Sequence, residues 1–510
     1  MSIKKLAGQT LWYGVPKIVS RFLNYGLTLL GFRLFDAVET SNLTQVYALI
    51  PFLNVLFTYG LETSYFKFAQ DQDRRKLYNT LNVSIISSTV LFSFLLLFFH
   101  GPITSFVSLE DNPEYVTWMI GILFFDTLAV IPMAKLRLEE RPRKYAFVNI
   151  ASVMINMVLV IFFYFIARPL REAHPNSIWI LVYDPSVGVG YFIIANLVAS
   201  LATLFFLYKE FAAFKWLFDA KLWKQVIIYS YPLVIVGFGG MINEMLSRLV
   251  YRKVLVLDPI LEKRELGIFG ANYKLAVLIT IFIQIFRLAA EPFFFNQSVK
   301  EDAKKTYARV MKLFVIACCF MFLIIALFLN VWQWLIASKH KEYAEGIGIV
   351  PILAMGSVFL GIYYNLSVWY KLTSRNMFGA YITVAGAVIT VLLNIWWIPM
   401  FGYYGSAWAT FVCYGFMMVI SYVQGQKYYK IPYAWKKLLA YLVIISLIYV
   451  VHRGLLYVGR SYLHVGPGWG LYQFGTAFLL LAAFTIFVLK VEKKEFVRLP
   501  IIGRYIQQFA

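Results

Sequence analysis

The sequence predicts an all-α polytopic membrane protein of about 14 transmembrane helices, built as two six-helix bundles plus two C-terminal helices. Three observations carry this prediction. Of 510 residues, 61% are hydrophobic and only 14% charged, with a mean hydropathy of +0.69, which is too apolar for a water-soluble globule. The apolar residues fall into runs of the roughly 20 residues that cross a bilayer. Finally, Gly60 to Gln70, GLETSYFKFAQ, near the end of the second run is echoed by Ala289 to Gln297, AAEPFFFNQ, near the end of the eighth. The chain therefore reads as two diverged halves.

The expected spans are 10–34, 42–67, 80–100, 115–135, 146–168, 188–208, 225–249, 266–295, 307–330, 347–370, 377–399, 404–425, 438–458 and 469–489. In the repeat Glu291 answers Glu62, and Phe294 and Phe295 answer Tyr65 and Phe66. Upstream, Asn272-Tyr273-Lys274-Leu275 echoes Val46-Tyr47-Ala48-Leu49, and Pro232 echoes Pro16. Pro16 to Glu62 is 46 residues and Pro232 to Glu291 is 59, so the second copy carries an insertion. The copies sit six spans apart, an even number, so both halves share one topology. That arrangement expects a parallel repeat about the membrane normal, with a cavity between the halves near the midplane. The bundles are assigned to 1–215 and 216–430, leaving two extra spans and a tail in 431–510.

A net charge of +21 suggests nucleic acid in a soluble protein, but here the basic residues sort by side. Connections on the side of the termini hold 30 Lys and Arg, against 11 on the other. The positive-inside bias therefore places both termini in the cytoplasm and removes the case for a nucleic-acid partner. Cys318, Cys319 and Cys413 all lie in apolar stretches, which supports neither a disulfide framework nor a metal knuckle. The basic start runs into an apolar stretch containing Lys17 and Arg21 with no small-residue cleavage site, the pattern of a retained first helix rather than a signal peptide. No connection exceeds about twenty residues, and Walker A, HExxH, paired CxxC and GxSxG patterns are absent. A soluble catalytic or nucleotide-binding domain is not expected.

Charges inside the spans are the candidate functional groups. Lys17, Arg21, Asn24 and Thr28 recur at i, i+4, i+7 and i+11, a single polar stripe with two cations near the middle of span one. An intramembrane charge costs about 2.5–3.5 kcal/mol on insertion scales, so such residues face a cavity or a partner. A diphosphate suits this pair, forked by Arg21 and attracted by Lys17 as a point charge; an interhelical ion pair is the other reading. Glu244 and Lys274, at similar depth in spans seven and eight, complete the substrate-binding candidates Lys17, Arg21, Asn24, Lys274 and Glu244. Arg248, four residues beyond Glu244, reads as a snorkelling side chain near the membrane edge. Glu62, Asp126, Arg287 and Glu291 are the candidates for gating or ion coupling. Glu62 closes span two beside Lys67, Asp126 is an isolated acid in span four, and Arg287 and Glu291 can neutralise one another at i, i+4.

The six-plus-six-plus-two spans, GLETSYFKF and GANYKLAVLITIFIQIFRLAAEPFFFNQ together resemble the lipid-linked oligosaccharide (O-antigen type) flippases. These belong to the multidrug/oligosaccharidyl-lipid/polysaccharide exporter superfamily. The resemblance implies a bacterial inner-membrane transporter, not an enzyme. It would carry undecaprenyl-diphosphate-linked oligosaccharide to the periplasmic leaflet by alternating access, for surface polysaccharide synthesis. No cofactor is implied beyond an H+ or Na+ gradient. The partners implied are the lipid-linked substrate, the bilayer and other polysaccharide assembly proteins, with the chain itself a monomer. Flippases of the peptidoglycan precursor in this superfamily tend to carry several cavity arginines, whereas this chain mixes Lys17, Arg21 and Lys274, so that assignment stays open. A cation-coupled drug exporter on the same fold favours cavity carboxylates, which Glu62, Asp126, Glu244 and Glu291 keep in play. A membrane-embedded glycan polymerase or ligase expects a long outer loop or an acidic metal-diphosphate motif, and the sequence has neither.

Overall fold

Hydrocarbon offers no partner for a backbone N–H or C=O, so a chain this apolar closes its hydrogen bonds within helices. The computed structural model describes residues 3–255, 258–298, 301–373, 375, 377–461 and 468–496, with side chains from residue 18 onward except 288, 289, 291, 292, 295, 296, 494 and 496. Among these there are helices and no strand. The first helix is α1, Ile3–Leu34. Thirteen further segments are long and apolar enough to cross a membrane. They are α2 (Ala37–Phe68), α3 (Arg74–Phe98), α4 (Glu114–Leu138), α5 (Pro142–Ala173), α6 (Trp179–Phe206), α7 (Ala220–Val254) and α8 (Pro259–Gln297). There follow α9 (Ala303–Leu327), α10 (Lys341–Leu372), α11 (Met377–Phe401), α12 (Tyr403–Tyr428), α13 (Trp435–Ser461) and α14 (Trp469–Val491). Helix α1 is not one of the thirteen; its polar stripe dilutes the hydropathy that the others keep. The fourteen expected spans map onto α1–α14 in order.

Several of these helices are interrupted. Helix α2 breaks at Tyr59 and Gly60, whose φ values are 30° and 74°; Gly60 has no Cβ to oppose that left-handed turn. The Tyr59 hydroxyl lies 2.7 Å from Ser84 Oγ, which fixes the break against α3. Helix α5 passes through a π-helical stretch, Phe162–Ala167, braced where the Tyr164 hydroxyl donates to the Gly188 carbonyl at 2.9 Å. Such irregular backbone survives in a membrane only where protein covers it, and Tyr164 is buried.

The chain forms two compact units, one of residues 1–300 and 335–430, the other of Glu301–Trp334 and Ile431–Ala510. In the first unit α6 packs on α4 and α5, α1 on α5, and α3 on α4. The later helices pack in the series α7, α11, α12, α10, α8, and α2 bridges the two sets by lying against α7 and α8. Lipid is as apolar as leucine, so close packing and internal hydrogen bonds hold these helices together. The Asn243 amide on α7 donates to the Thr383 carbonyl at 3.2 Å and accepts from the Thr390 hydroxyl at 3.1 Å, both on α11. Ser406 of α12 donates to Asn394 of α11 at 2.9 Å.

The second unit contains α9, α13 and α14. Residues 301–334, expected within 216–430, thus cluster with 431–510. An ionic knot closes this unit. Glu492, 2% exposed, receives Lys312 of α9 at 2.9 Å, Lys437 of α13 at 2.6 Å and the Tyr441 hydroxyl at 2.6 Å. Burial pushes the Glu492 carboxyl up, but Lys437, Tyr441 and Lys312 outweigh it and hold the group below its ordinary value of 4.5. A lowered acid stabilises the fold above its unfolded value, and that contribution is lost as pH falls through the lowered one. Glu492→Leu should leave Lys437 without an acid and Lys312 with Glu495 alone, destabilising the protein by about 3 kcal/mol, with Glu492→Gln milder. Thermal unfolding of the purified variants checks this; a melting point unchanged in Glu492→Leu would show that the knot carries no stability.

Candidate functional site

A cavity of about 330 Å3 lies between the two sets of helices in the first unit. From the N half, α1 lends Asn24, Thr28 and Phe32, α2 lends Thr40, Thr44 and Tyr47, α5 lends Asn156, and α6 lends Phe192 and Asn196. From the C half, α7 lends Met245 and Arg248, and α8 lends Gly270 and Lys274. The three- and four-residue spacings on each helix place these groups on one face. No carboxylate is among the described lining residues.

The cations are held in different ways. Arg248 is 6% exposed, with its guanidinium 3.9 Å from the centre of the Tyr273 ring and Nη2 donating to the Glu244 carbonyl at 3.2 Å. Its Nε is buried without a hydrogen-bond partner among the described residues. Lys274 is repelled by Arg248 and attracted by Glu244. Arg21, half-buried one turn from Asn24, is attracted by Glu244 and repelled by Arg287. Arg287 places its guanidinium 4.9 Å from the Tyr364 ring centre. Lys274 and Arg21 thus feel the same acid, Glu244, while Arg248 bonds its backbone carbonyl. The Glu244 side chain itself lines a separate space of about 10 Å3 with Tyr273, Thr280, Ser357, Thr410 and Tyr414, so of the expected binding set Asn24 and Lys274 line the larger cavity.

The other candidates lie apart. Lys17 and Glu291 fall on helices α1 and α8, but their side chains lie outside the described residues. Glu62 forms an ion pair with Arg137 of α4, whose guanidinium also covers the Phe66 and Tyr145 rings at 4.7 and 5.6 Å. Asp126 is exposed rather than packed into the core, bonded to the Ser200 hydroxyl and close enough to act on Tyr47. The Tyr47 hydroxyl in turn meets the Asn196 amide at 3.4 Å, so one phenol separates Asp126 from the cavity.

Arg248 departs from its expected place. It is not a snorkelling edge residue but a buried cavity cation, because Tyr273 and the Glu244 carbonyl hold it inward. Asn156 and Asn196 were also not foreseen as site residues. The sequence signal for them is an isolated amide in an apolar run, MINMVLV and IIANLVA, which costs free energy unless it meets a partner.

The end of the first unit away from the N-terminus, here the distal end, is joined across the halves. Glu342, on the 3-10 turn that opens α10, accepts the Ala37 backbone N–H at 2.6 Å. The helix start also has its own capping box between Asp36 and Glu39. Tyr343, fully buried, donates to the Phe35 carbonyl at 2.9 Å and meets the Thr40 hydroxyl at 2.8 Å. Arg252 donates to the Ser108 carbonyl at 2.5 Å, and Lys263 pairs with Asp111. Beneath them α8 lies directly on α2. A Cβ at Gly267 would overlap the Ala37 carbonyl, and one at Gly270 would come within 2.6 Å of Thr44 Oγ1.

This arrangement of two sets of helices around a central cavity is a fold that solved structures share. The lipid II flippase MurJ in an inward closed conformation aligns with TM-score 0.65 at 15% identity, covering 94% of this chain and 99% of that one. An inward-facing multidrug resistance MATE family transporter aligns with TM-score 0.58 at 13% identity, covering 84% and 94%. The Vibrio cholerae MATE transporter VcmN aligns with TM-score 0.57 at 12% identity, covering 83% and 97%. No protein-family model matches the sequence, and no curated protein matches it.

The close seam at Gly267 yields a prediction about state. Gly267→Val should prevent distal closure and expose the cavity from that side. A cysteine at Thr44, in a background without Cys318, Cys319 and Cys413, should then react with a membrane-impermeant maleimide about tenfold faster, the effect of a bias near 1.4 kcal/mol. Unchanged labelling of a normally accumulating Gly267→Val protein would show that this seam does not control access.

Proposed function

We propose that this protein is a flippase that moves an undecaprenyl-diphosphate-linked oligosaccharide across the bacterial inner membrane by alternating access, for surface polysaccharide synthesis. The observation that carries the reading is the charge of the central cavity: Arg248 and Lys274 line it, Arg21 lies close by, and no carboxylate is among its described lining residues. In a low-dielectric site such cations need an anion to come to them, and a lipid diphosphate supplies one. A cationic drug needs the reverse. Three of the four acids that favoured an exporter are engaged elsewhere, Glu62 with Arg137, Asp126 beside Ser200 and Glu244 in its own small space. The neighbour that spans nearly the whole chain acts on a lipid-linked cargo by its name, whereas the multidrug transporters cover less of it.

In this reading the distal end faces the periplasm and both termini lie in the cytoplasm, in keeping with the excess of Lys and Arg on that side. The joined distal end belongs to the phase that loads cargo from the cytoplasmic leaflet. Release requires Glu342, Tyr343 and the α2/α8 seam to part. Asp126 is the candidate for coupling to an H+ or Na+ gradient, because Tyr47 connects it to the cavity wall. Glu62 and Arg137 are the candidate pair for gating the opposite mouth.

Proteoliposomes loaded with undecaprenyl-diphosphate-linked oligosaccharide test the proposal. Lys274→Ala and Arg21→Ala should each slow flipping about tenfold or more, while Arg21→Lys, which keeps charge without the fork, should retain part of it. Protein level and thermal stability should stay near the unsubstituted values. Full flipping in the Lys274→Ala, Arg21→Ala double variant, or export of a cationic dye in its place, would overturn the reading.

A further inference from the structure

The two walls of the central cavity differ in the hydrogen bonds they are able to make. We infer that the C-half wall, joined by Arg21 beside the cavity, holds the diphosphate of the cargo while the rest of the N-half wall reads its first sugar, with Asn156 and Asn196 as specificity-determining residues for a hydroxyl- or acetamido-bearing sugar. The inference rests on the flippase reading above and assigns a direction to the cargo inside the cavity.

Arginine and lysine are donors only. Every described charge in the lining is on the C-half wall, as Arg248 and Lys274. Arg248 is buried, pinned by Tyr273 and the Glu244 carbonyl, and retains an Nε with no partner. A buried unpaired donor costs free energy until an acceptor arrives, and an ionised diphosphate presents only acceptors. The N-half wall has the opposite vacancy. Asn156 Oδ1 is buried without a partner among the described residues. Asn196 directs its amide N–H to Tyr47, which leaves its carbonyl oxygen for a ligand. Free acceptors find nothing to bond on a phosphate without protons; they need O–H or N–H, which a sugar hydroxyl or acetamido group brings. Phe192, packed on Tyr164, adds an apolar edge to the same wall. At about 330 Å3 the space lies at the small end of ligand sites, which run from roughly 300 to 1,000 Å3. It suits a diphosphate and its first sugar rather than a whole oligosaccharide, so discrimination falls on the sugar joined to phosphate.

Binding of two probes to the full-length protein in nanodiscs separates the walls: undecaprenyl diphosphate, and the same lipid bearing one N-acetylglucosamine. The sugar-bearing probe should bind about tenfold more tightly, the scale of one or two hydrogen bonds. Asn156→Ala and, independently, Asn196→Ala should bring that ratio towards one while the bare diphosphate lipid keeps its Kd to within about twofold. Lys274→Ala should weaken both probes alike. If one asparagine variant fails to fold, the other carries the test. Equal affinity for both probes in the unsubstituted protein, or a ratio unmoved by either asparagine variant, would overturn the sugar-reading wall and leave the flippase reading standing. Binding of neither probe would overturn the flippase reading itself.

Discussion

A cation inside a bilayer must be given a partner, and the structure depends on how that requirement is met at each position. Three solutions appear. Arg137 is neutralised outright by Glu62 and sheathed by aromatic rings, and Lys312 and Lys437 converge on Glu492. These pairs are closed, and they fasten helix to helix. Arg248 is satisfied in part, by a carbonyl and a tyrosine face, with one donor left over. Lys274 and Arg21 are not closed by any ion pair among the described residues and feel only the pull of Glu244 against the push of other cations. The first kind of solution makes the scaffold rigid, whereas the last leaves an electrostatic demand in the centre of the molecule.

Much of the fold was legible in the sequence because a membrane span is a one-dimensional signal: twenty apolar residues read the same wherever their neighbours lie. All fourteen expected spans correspond to helices, and the stripe through Arg21, Asn24 and Thr28 runs along the helix that meets the cavity. Lys274 was singled out by its place along span eight, and its side chain lines the cavity. Rotation about the helix axis was not legible. Arg248 sits one turn from Glu244, and distance along the chain suggested an edge; only the Tyr273 ring, supplied by another helix, shows that it turns inward. Asn156 and Asn196 escaped notice for the same reason, since an amide in an apolar run has no charge to advertise it. The clustering of residues 301–334 with 431–510 depends on contacts more than a hundred residues apart, to which periodicity is blind.

Among the described lining residues the charges fall on one wall of the cavity, and this too follows from the geometry. Helices α7 and α8 bring both lining cations, while α1, α2, α5 and α6 bring amides, hydroxyls and rings. A motion that separated the halves would therefore draw the cations away from the amides and hydroxyls, and a ligand bridging both walls would be held well only while the halves were close.

The capping of α2 has a mechanical consequence. Glu342 reaches from the opposite half to the first free N–H of that helix, yet Asp36 and Glu39 already cap the same turn from within. Were the halves to separate, the helix would lose one of its two caps and keep the other, so its end would not fray. A latch of this kind would re-engage on a helix terminus whose shape is preserved, like a bolt returning to a keeper that has not moved.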